Sequence, residues 1–227
     1  MSAERRVAIV TGGASGLGAA VAAALTERGR HVVVLDRQAA PGFDHEVVDL
    51  ADSAAAEQAA SAAAARGRLE AVVTAAGVDT PGRLADVPRE RWERVVAVNL
   101  VGTAAVIRAT LPHLERNGGR IVTVASTLGM RALPEATAYC ASKFGVIGFS
   151  RALAAELAGR VGVTTLVPGG MRTAFFDGRD EQYRPGEDAA LNDPADVAAA
   201  VCFALDQPPG CEVRELVVAP ATEPSWP

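Results

Sequence analysis

Tyr139-Cys140-Ala141-Ser142-Lys143 sets a phenol and an ammonium four positions apart. On a helix that spacing puts both on one face, with Cβ atoms about 6 Å apart. A cation so close favours the phenolate and is expected to lower the tyrosine pKa from about 10, so the phenol trades a proton with a hydroxyl near neutral pH. The pair alone carries little weight, because tyrosine and lysine are common on helix surfaces. Ser126, at the end of an apolar run, adds a hydroxyl that can hydrogen-bond a substrate oxygen.

A second constellation lies near the N-terminus. Thr11-Gly12-Gly13-Ala14-Ser15-Gly16-Leu17-Gly18 gives Gly12, Gly16 and Gly18 the spacing G-x-x-x-G-x-G. A tight turn needs residues free of Cβ clash, and a pyrophosphate needs close backbone approach. The helix start beyond, at Ser15, Gly16 and Leu17, offers unpaired N–H groups to phosphates. In isolation this also reads as an ordinary strand-to-helix turn, but here an apolar strand precedes it and a helix follows. Asp36 falls where a ribose-binding acid is expected. Its carboxylate accepts hydrogen bonds from ribose hydroxyls and repels a 2′-phosphate, which favours NAD over NADP. Arg37 complicates this: it either reaches that phosphate or is a solvated loop arginine, and the second is favoured. Asp49 and Leu50 are expected to flank the adenine; Asp49 also reads as a turn residue before a helix, and the two uses are compatible.

These groups need a scaffold. Strands are predicted at residues 7–10, 31–35, 46–48, 69–74, 120–125, 161–167 and 213–218. Helices are predicted at 17–28, from 52–53 to near 67, over 89–117 as two helices meeting near Asn99, and at 137–158 and 194–205. Asp193 is read as the N-cap of the last helix, with Pro194 at its first position. Alternating strands and helices predict an α/β fold: a doubly wound, seven-stranded parallel sheet with helices on both faces, in a single domain over 1–227. Residues 170–192 read as irregular. With 49% apolar but only 4% aromatic residues, the core is expected to be aliphatic. A net charge of −5 and the lack of a basic stripe argue against nucleic acid. Cys140, Cys202 and Cys211 lack metal-ligand spacing and read as reduced thiols in a cytoplasmic protein. The uncharged run from Val7 to Thr26 is broken by glycines, so it reads as strand, turn and helix rather than a membrane span. Nothing before it reads as a signal peptide.

The glycine turn, Thr74-Ala75-Ala76-Gly77, Asn99, Ser126, Tyr139, Lys143 and Pro168-Gly169 with Thr173 recur in one order, and together they resemble the short-chain dehydrogenase/reductase family over nearly the whole chain. The resemblance implies that Tyr139 is the acid/base and that Lys143 lowers its pKa and holds the nicotinamide ribose. It implies that Ser126 polarises a carbonyl. Asn99 would hold a water in a proton relay, and it also reads as a helix-kink residue. Ala75, Ala76 and Gly77 would let the adenine ribose approach, while Pro168, Gly169, Met171 and Thr173 would wall the nicotinamide end. Three departures stand out. Thr74-Ala75 replaces the family's frequent Asn-Asn, and Thr74 is expected to supply one of the missing side-chain hydrogen bonds. Gly170 is expected to loosen its loop. Ala219-Pro220-Ala221 replaces the common Asp-Gly-Gly ending, which touches the usual subunit contacts more than the chemistry.

On the substrate side, a short loop over about 174–192 takes the place of the family's mobile lid. Phe176 and Tyr183 are expected to wall an apolar pocket, with Thr127, Met130 and Leu133 facing it. Phe175 reads as a loop anchor and Arg131 as a solvated arginine. Trp226, in a Pro-rich tail, reads as a cover for a neighbour's surface or as a free end. The family's dimer face, helices 99–117 and 137–158, implies a homodimer or homotetramer. The leading expectation is reversible, NAD-dependent hydride transfer between nicotinamide and a secondary alcohol or ketone. The alternatives are an NADPH-dependent ketoreductase using Arg37, and a non-catalytic dinucleotide sensor. The intact Asn99, Ser126, Tyr139 and Lys143 set argues against the sensor.

Overall fold

Seven short aliphatic runs build one parallel sheet in the computed structural model, which describes residues 5–223. The strands are β1 (Arg6–Thr11), β2 (His31–Asp36), β3 (Asp44–Val47), β4 (Arg68–Thr74), β5 (Arg120–Val124), β6 (Gly162–Pro168) and β7 (Glu215–Val218). Their order across the sheet is β3-β2-β1-β4-β5-β6-β7, and every pairing is parallel. The chain therefore winds outward one way from β1 and the other way from β4. The crevice at that reversal, beyond the strands' carboxyl ends, is where ligands bind such sheets.

The helices cover both faces, as the alternation of elements predicts. They are α1 (Gly16–Glu27), α2 (Ser53–Ala64), α3 (Arg89–Val96), α4 (Thr103–Asn117), α5 (Thr137–Glu156) and α6 (Pro194–Leu205). On one face Leu17, Val21 and Leu25 of α1 pack with Val197, Val201 and Leu205 of α6 against Val10, Val34 and Val73. On the other, Ala56, Ala60 and Ala63 of α2, Ile107 and Leu114 of α4, and Leu153 of α5 pack against Ile9, Leu35 and Val72. The small alanines of α2 let that helix lie close to α4, and the core is aliphatic as the composition predicts.

Caps set the helix ends. Asp193 accepts from Ala195 N at 2.8 Å with Pro194 at the first helical position, as expected. Asp52 accepts from Ala55 N at 3.0 Å. The stretch predicted as two helices meeting near Asn99 is one continuous rod: α3 passes into α4 through a π-helical turn, Ala97–Gly102. That rod is long and apolar enough to span a membrane, but half of its apolar window is buried within the protein. The third strand runs Asp44–Val47 rather than 46–48, and the last begins at Glu215 rather than at residue 213. Residues 170–192 are irregular apart from single turns at Ala174–Phe176 and Glu181–Tyr183 and a Met171–Asn192 bridge. Trp226 lies outside the described residues.

Candidate active site

The glycine turn is built by close backbone approach. Gly12 has φ +71°, and a Cβ there would lie 2.7 Å from Ala76 Cα. A Cβ on Gly18 would run into the Gly12 carbonyl oxygen. The turn therefore packs on the exit of β4, and α1 starts at Gly16, where the first N–H groups of a helix have no intrahelical acceptor. Thr11 Oγ1 braces the junction by accepting from Ala76 N at 3.0 Å. A side-chain hydrogen bond was expected of Thr74, but Thr74 Oγ1 is buried with no hydrogen-bond partner among the described residues.

Asp36 ends β2 and points at the glycine turn. Its two carboxylate oxygens accept from Ala14 N and Gln38 N, both at 3.0 Å. Asp49 is exposed, pairs with Arg94 at 2.9 Å and accepts from Ala51 N at 3.0 Å. The Ala51 amide chiefly holds its carboxyl below the usual range, with Arg94 and Arg37 adding to this. Leu50, expected beside the adenine, is buried, and its backbone packs on Gly102 in the π-helical turn.

At the other end of the crevice, β5 delivers Ser126 and α5 delivers Tyr139 and Lys143. Ser126 Oγ accepts from Leu128 N at 3.1 Å, which caps the turn Thr127–Gly129, and the same side chain hydrogen-bonds the Tyr139 phenol. Gly129 lets that turn approach the Lys143 backbone; a Cβ there would lie 2.8 Å from Lys143 O. Lys143 is buried, and its Nζ donates to Val124 O at 2.8 Å and stands 5.6 Å from the centre of the Tyr139 ring. One helical turn thus brings phenol and ammonium to one side, as the spacing predicts.

The electrostatics differ from the expectation. Burial pushes the Tyr139 phenol up to about 12, with Asp79 adding to this against the Ser126 hydrogen bond and the Arg179 cation. Burial also pulls Lys143 down to about 8, opposed by Asp79. In the folded protein desolvation outweighs the attraction of a neighbouring cation, so the phenol is not acidified.

Asn99 sits in the π-helical turn and is fully buried. Its Nδ2 donates to Val78 O at 2.9 Å and to Ser142 Oγ at 3.0 Å, while its Oδ1 accepts from Val78 N at 2.8 Å. Ser142 Oγ donates in turn to Tyr139 O at 2.8 Å. Asn99 therefore joins the β4 exit to α5. Both amide hydrogens serve protein acceptors, so only its oxygens remain for a relay.

A cavity of about 670 Å³ runs between these two constellations. Ser15, Gly16, Leu17, Gly18, Arg37, Ala75 and Gly77 line one end. Ser126, Thr127, Leu133, Tyr139 and Lys143 line the other, with Pro168, Gly169, Met171, Thr173 and Phe176 along the wall. Gly12, Asp36, Asp49, Leu50, Ala76, Asn99, Met130 and Tyr183 are not on its surface. Met130 is exposed, and Tyr183 is held aside by donating its hydroxyl to Glu135 at 3.0 Å. Gly170 does not loosen its loop: its N–H donates to Glu223 Oε2 and its carbonyl accepts from Asn192 N, both at 2.9 Å. The glycine cradle opens into the same cavity as the phenol, which suits an elongated dinucleotide with phosphates at one end and a redox ring at the other.

Two features escaped the sequence, and for Phe175 the favoured of two readings was incomplete. Asp79 and Arg179 form an ion pair at 3.1 Å on the cavity wall. Phe175, read as an anchor, also lines the cavity, with its ring centre 5.8 Å from that of Tyr139. Glu135 has φ +61°, the only non-glycine residue with positive φ among those described, and its carbonyl accepts from Gly82 N at 2.7 Å. Only the positive φ has a sequence cue: Glu135 follows Pro134 in a turn-like stretch.

A family model described as short chain dehydrogenase matches residues 6–184. D-threitol dehydrogenase of Mycolicibacterium smegmatis is 40% identical over 184 residues, covering 73% of this chain and 70% of that protein. A short chain dehydrogenase from Mycobacterium paratuberculosis, solved bound to NAD, superposes with a TM-score of 0.83 at 27% identity, over 94% of this chain and 96% of that one. An alcohol dehydrogenase from the archaeon Thermococcus sibiricus, solved with 5-hydroxy-NADP, gives 0.83 at 25% identity, over 95% and 96%.

Proposed function

The chain belongs to the short chain dehydrogenase family, as an oxidoreductase acting on CH–OH groups of small molecules, and from that premise we propose that it is an NAD-dependent secondary-alcohol dehydrogenase with Tyr139 as proton donor and acceptor. The observation that carries the proposal is the shared cavity, in which Ser126, Tyr139 and Lys143 face the same space as the glycine turn. When bound, the dinucleotide supplies the ring carbon that gives or takes a hydride.

The chain's own residues do the rest. The N–H groups at Gly16, Leu17 and Gly18 hold the pyrophosphate at the start of α1. Pro168, Gly169, Met171 and Thr173 form the wall beside the nicotinamide. Ser126 donates to the substrate oxygen and fixes it against the Tyr139 hydroxyl. Tyr139 gives its proton to that oxygen in reduction and takes it back in oxidation. With the phenol near 12 and the lysine near 8, the site rests at neutral pH as phenol and ammonium. Proton loss from the phenol is aided by Ser126 and Arg179 and opposed by burial and Asp79. Asn99 positions α5 against the β4 exit and offers its oxygens to a proton path from Lys143.

The preference for NAD rests on Asp36, whose carboxylate is anchored by two backbone amides beside the glycine turn. Arg37, on the cavity wall, favours a second reading, ketone reduction with NADPH. Arg37 also lies close enough to Asp49 to act on it electrostatically, which supports its engagement there. A homodimer or homotetramer is part of the proposal, supported by Val101 and Phe144, which stand exposed on the π-helical turn and α5. The three free thiols support a cytoplasmic setting.

The test combines turnover and binding. Affinities for NAD and NADP by fluorescence titration separate the two cofactor readings. Tyr139→Phe is expected to lose about 10²–10⁴-fold in turnover of secondary alcohols while keeping cofactor affinity. Retained turnover in that variant removes Tyr139 from the mechanism.

A further inference from the structure

Asp79 and Arg179 are an odd pair to find in a cavity wall. Both side chains are largely buried, 7% and 13% exposed, with Arg179 Nη2 3.1 Å from Asp79 Oδ2. Yet that nitrogen is buried and makes no hydrogen bond among the described residues. Asp79 Oδ1 accepts from Thr80 N at 2.7 Å, so the carboxylate is fixed from behind. The guanidinium lies against two rings, 4.7 Å from the centre of Phe175 and 4.8 Å from that of Phe176, so it is fixed as well. Phe175 in turn packs on Tyr139. Asp79 acts electrostatically on both Tyr139 and Lys143, and Arg179 on Tyr139, and all four residues line the one cavity.

The orphaned nitrogen itself is shut off from the cavity, but Asp79 and Arg179 both line it, so a ligand meets a carboxylate and a guanidinium side by side. We propose that Asp79 and Arg179 form a hydroxyl-reading subsite, which makes the substrate a vicinal diol or polyol rather than a simple alcohol. A hydroxyl suits the pair because it accepts from the guanidinium and donates to the Asp79 carboxylate at once. A substrate carboxylate suits it poorly: it pairs with Arg179 but brings a second negative charge against Asp79 in a poorly solvated site. A methyl group offers neither bond. Burial already pushes the Asp79 carboxyl up despite Arg179, so a further anion there is disfavoured. The subsite rests on the alcohol dehydrogenase reading above and narrows its substrate class.

The experiment compares 2,3-butanediol, 2-butanol and lactate with the wild-type protein, Arg179→Met and Arg179→Lys. Turnover is read as kcat/KM, and binding by calorimetry in the presence of reduced cofactor. The wild type is expected to prefer the diol over 2-butanol by at least about tenfold, the worth of one buried hydrogen bond, and to disfavour lactate. In Arg179→Met the diol-to-alcohol ratio is expected to collapse toward one, mainly through KM, with partial recovery in Arg179→Lys. A pair that merely latches the 174–184 loop lowers both alcohols alike, and an unchanged ratio in Arg179→Met overturns the proposal. So does equal handling of diol and 2-butanol by the wild type, a result that stands even if the variants fail to fold. Diol-selective binding without hydride transfer to any alcohol overturns the parent reading and leaves the subsite standing.

Discussion

The Asn99 side chain pairs with both polar backbone atoms of Val78, donating to the carbonyl at 2.9 Å and accepting from the amide at 2.8 Å. This is a strand-like bridge made by a side chain. It ties the π-helical turn to the segment that follows Gly77, where a Cβ would lie 3.7 Å from both Asn99 Oδ1 and Lys143 Nζ. Asn99 therefore fixes the β4 exit against the π-helical turn, and Gly77 leaves the space beside it that Lys143 Nζ borders.

Asn99→Ala leaves the Val78 backbone pair and the Ser142 hydroxyl without this partner. A destabilisation of roughly 2–6 kcal/mol is expected, from about 1–3 kcal/mol for each of the two orphaned Val78 groups. Asn99→Asp retains the acceptor for Val78 N but loses both donors, so its midpoint in urea unfolding is expected between those of the alanine variant and the wild type. A wild-type midpoint in Asn99→Ala contradicts the positioning role.

Lys143 trades stability for chemistry. Its folded-state pKa of about 8 lies below the ordinary 10.5, so the unfolded chain binds more protons between those values. Stability is expected to rise as pH goes from 8 to 10, with the full penalty present below 8. The shift corresponds to about 3 kcal/mol. Lys143→Met removes the buried charge and loses the Val124 carbonyl bond, about 1 kcal/mol. Its melting temperature at pH 7 is expected to rise by several degrees, the gain to vanish near pH 10, and turnover to be lost. Calorimetric melts across that range check the sign.

Asp36→Asn removes a negative charge from the ribose end while keeping an acceptor for Ala14 N. The NADP-to-NAD affinity ratio is expected to rise by about tenfold or more, equivalent to about 1.4 kcal/mol of relieved repulsion. Isothermal titration with both dinucleotides reads it directly, and an unmoved ratio shifts the discrimination to Arg37.

Gly18→Ala places a methyl against the Gly12 carbonyl, a backbone atom that cannot swing away. A loss of about 1–3 kcal/mol is expected from the overpacking. Dinucleotide binding is expected to fall further than stability does, because the turn itself is displaced. Thermal melts with and without cofactor separate the two effects: the stabilisation conferred by cofactor should shrink most.

Much of the fold was legible because it is written in short-range signals. The aliphatic run Val7–Val10, the glycines after it and the alanine-rich α1 mark strand, turn and helix with no knowledge of the rest of the chain. Asp193-Pro194 marks the start of α6 in the same way. The Tyr139–Lys143 spacing reported a shared helix face because helical geometry is fixed. Where the reading failed, packing had the deciding part. Thr74 was expected to bond through its side chain, but its hydroxyl is buried without a partner among the described residues, and the Thr11 hydroxyl is the one that accepts from the Ala76 amide.

The sequence alone determined the parallel architecture, the glycine cradle and the pairing of phenol with ammonium, since each follows from residue types a few positions apart and the fixed geometry of helix and strand. Only the tertiary structure decided how those groups titrate and which others join them. Desolvation depends on everything packed around Tyr139 and Lys143, and no local pattern carries that information. The Asp79–Arg179 contact likewise arises only when two distant loops meet over the same cavity, a relation set by the sheet's winding rather than by any spacing along the chain.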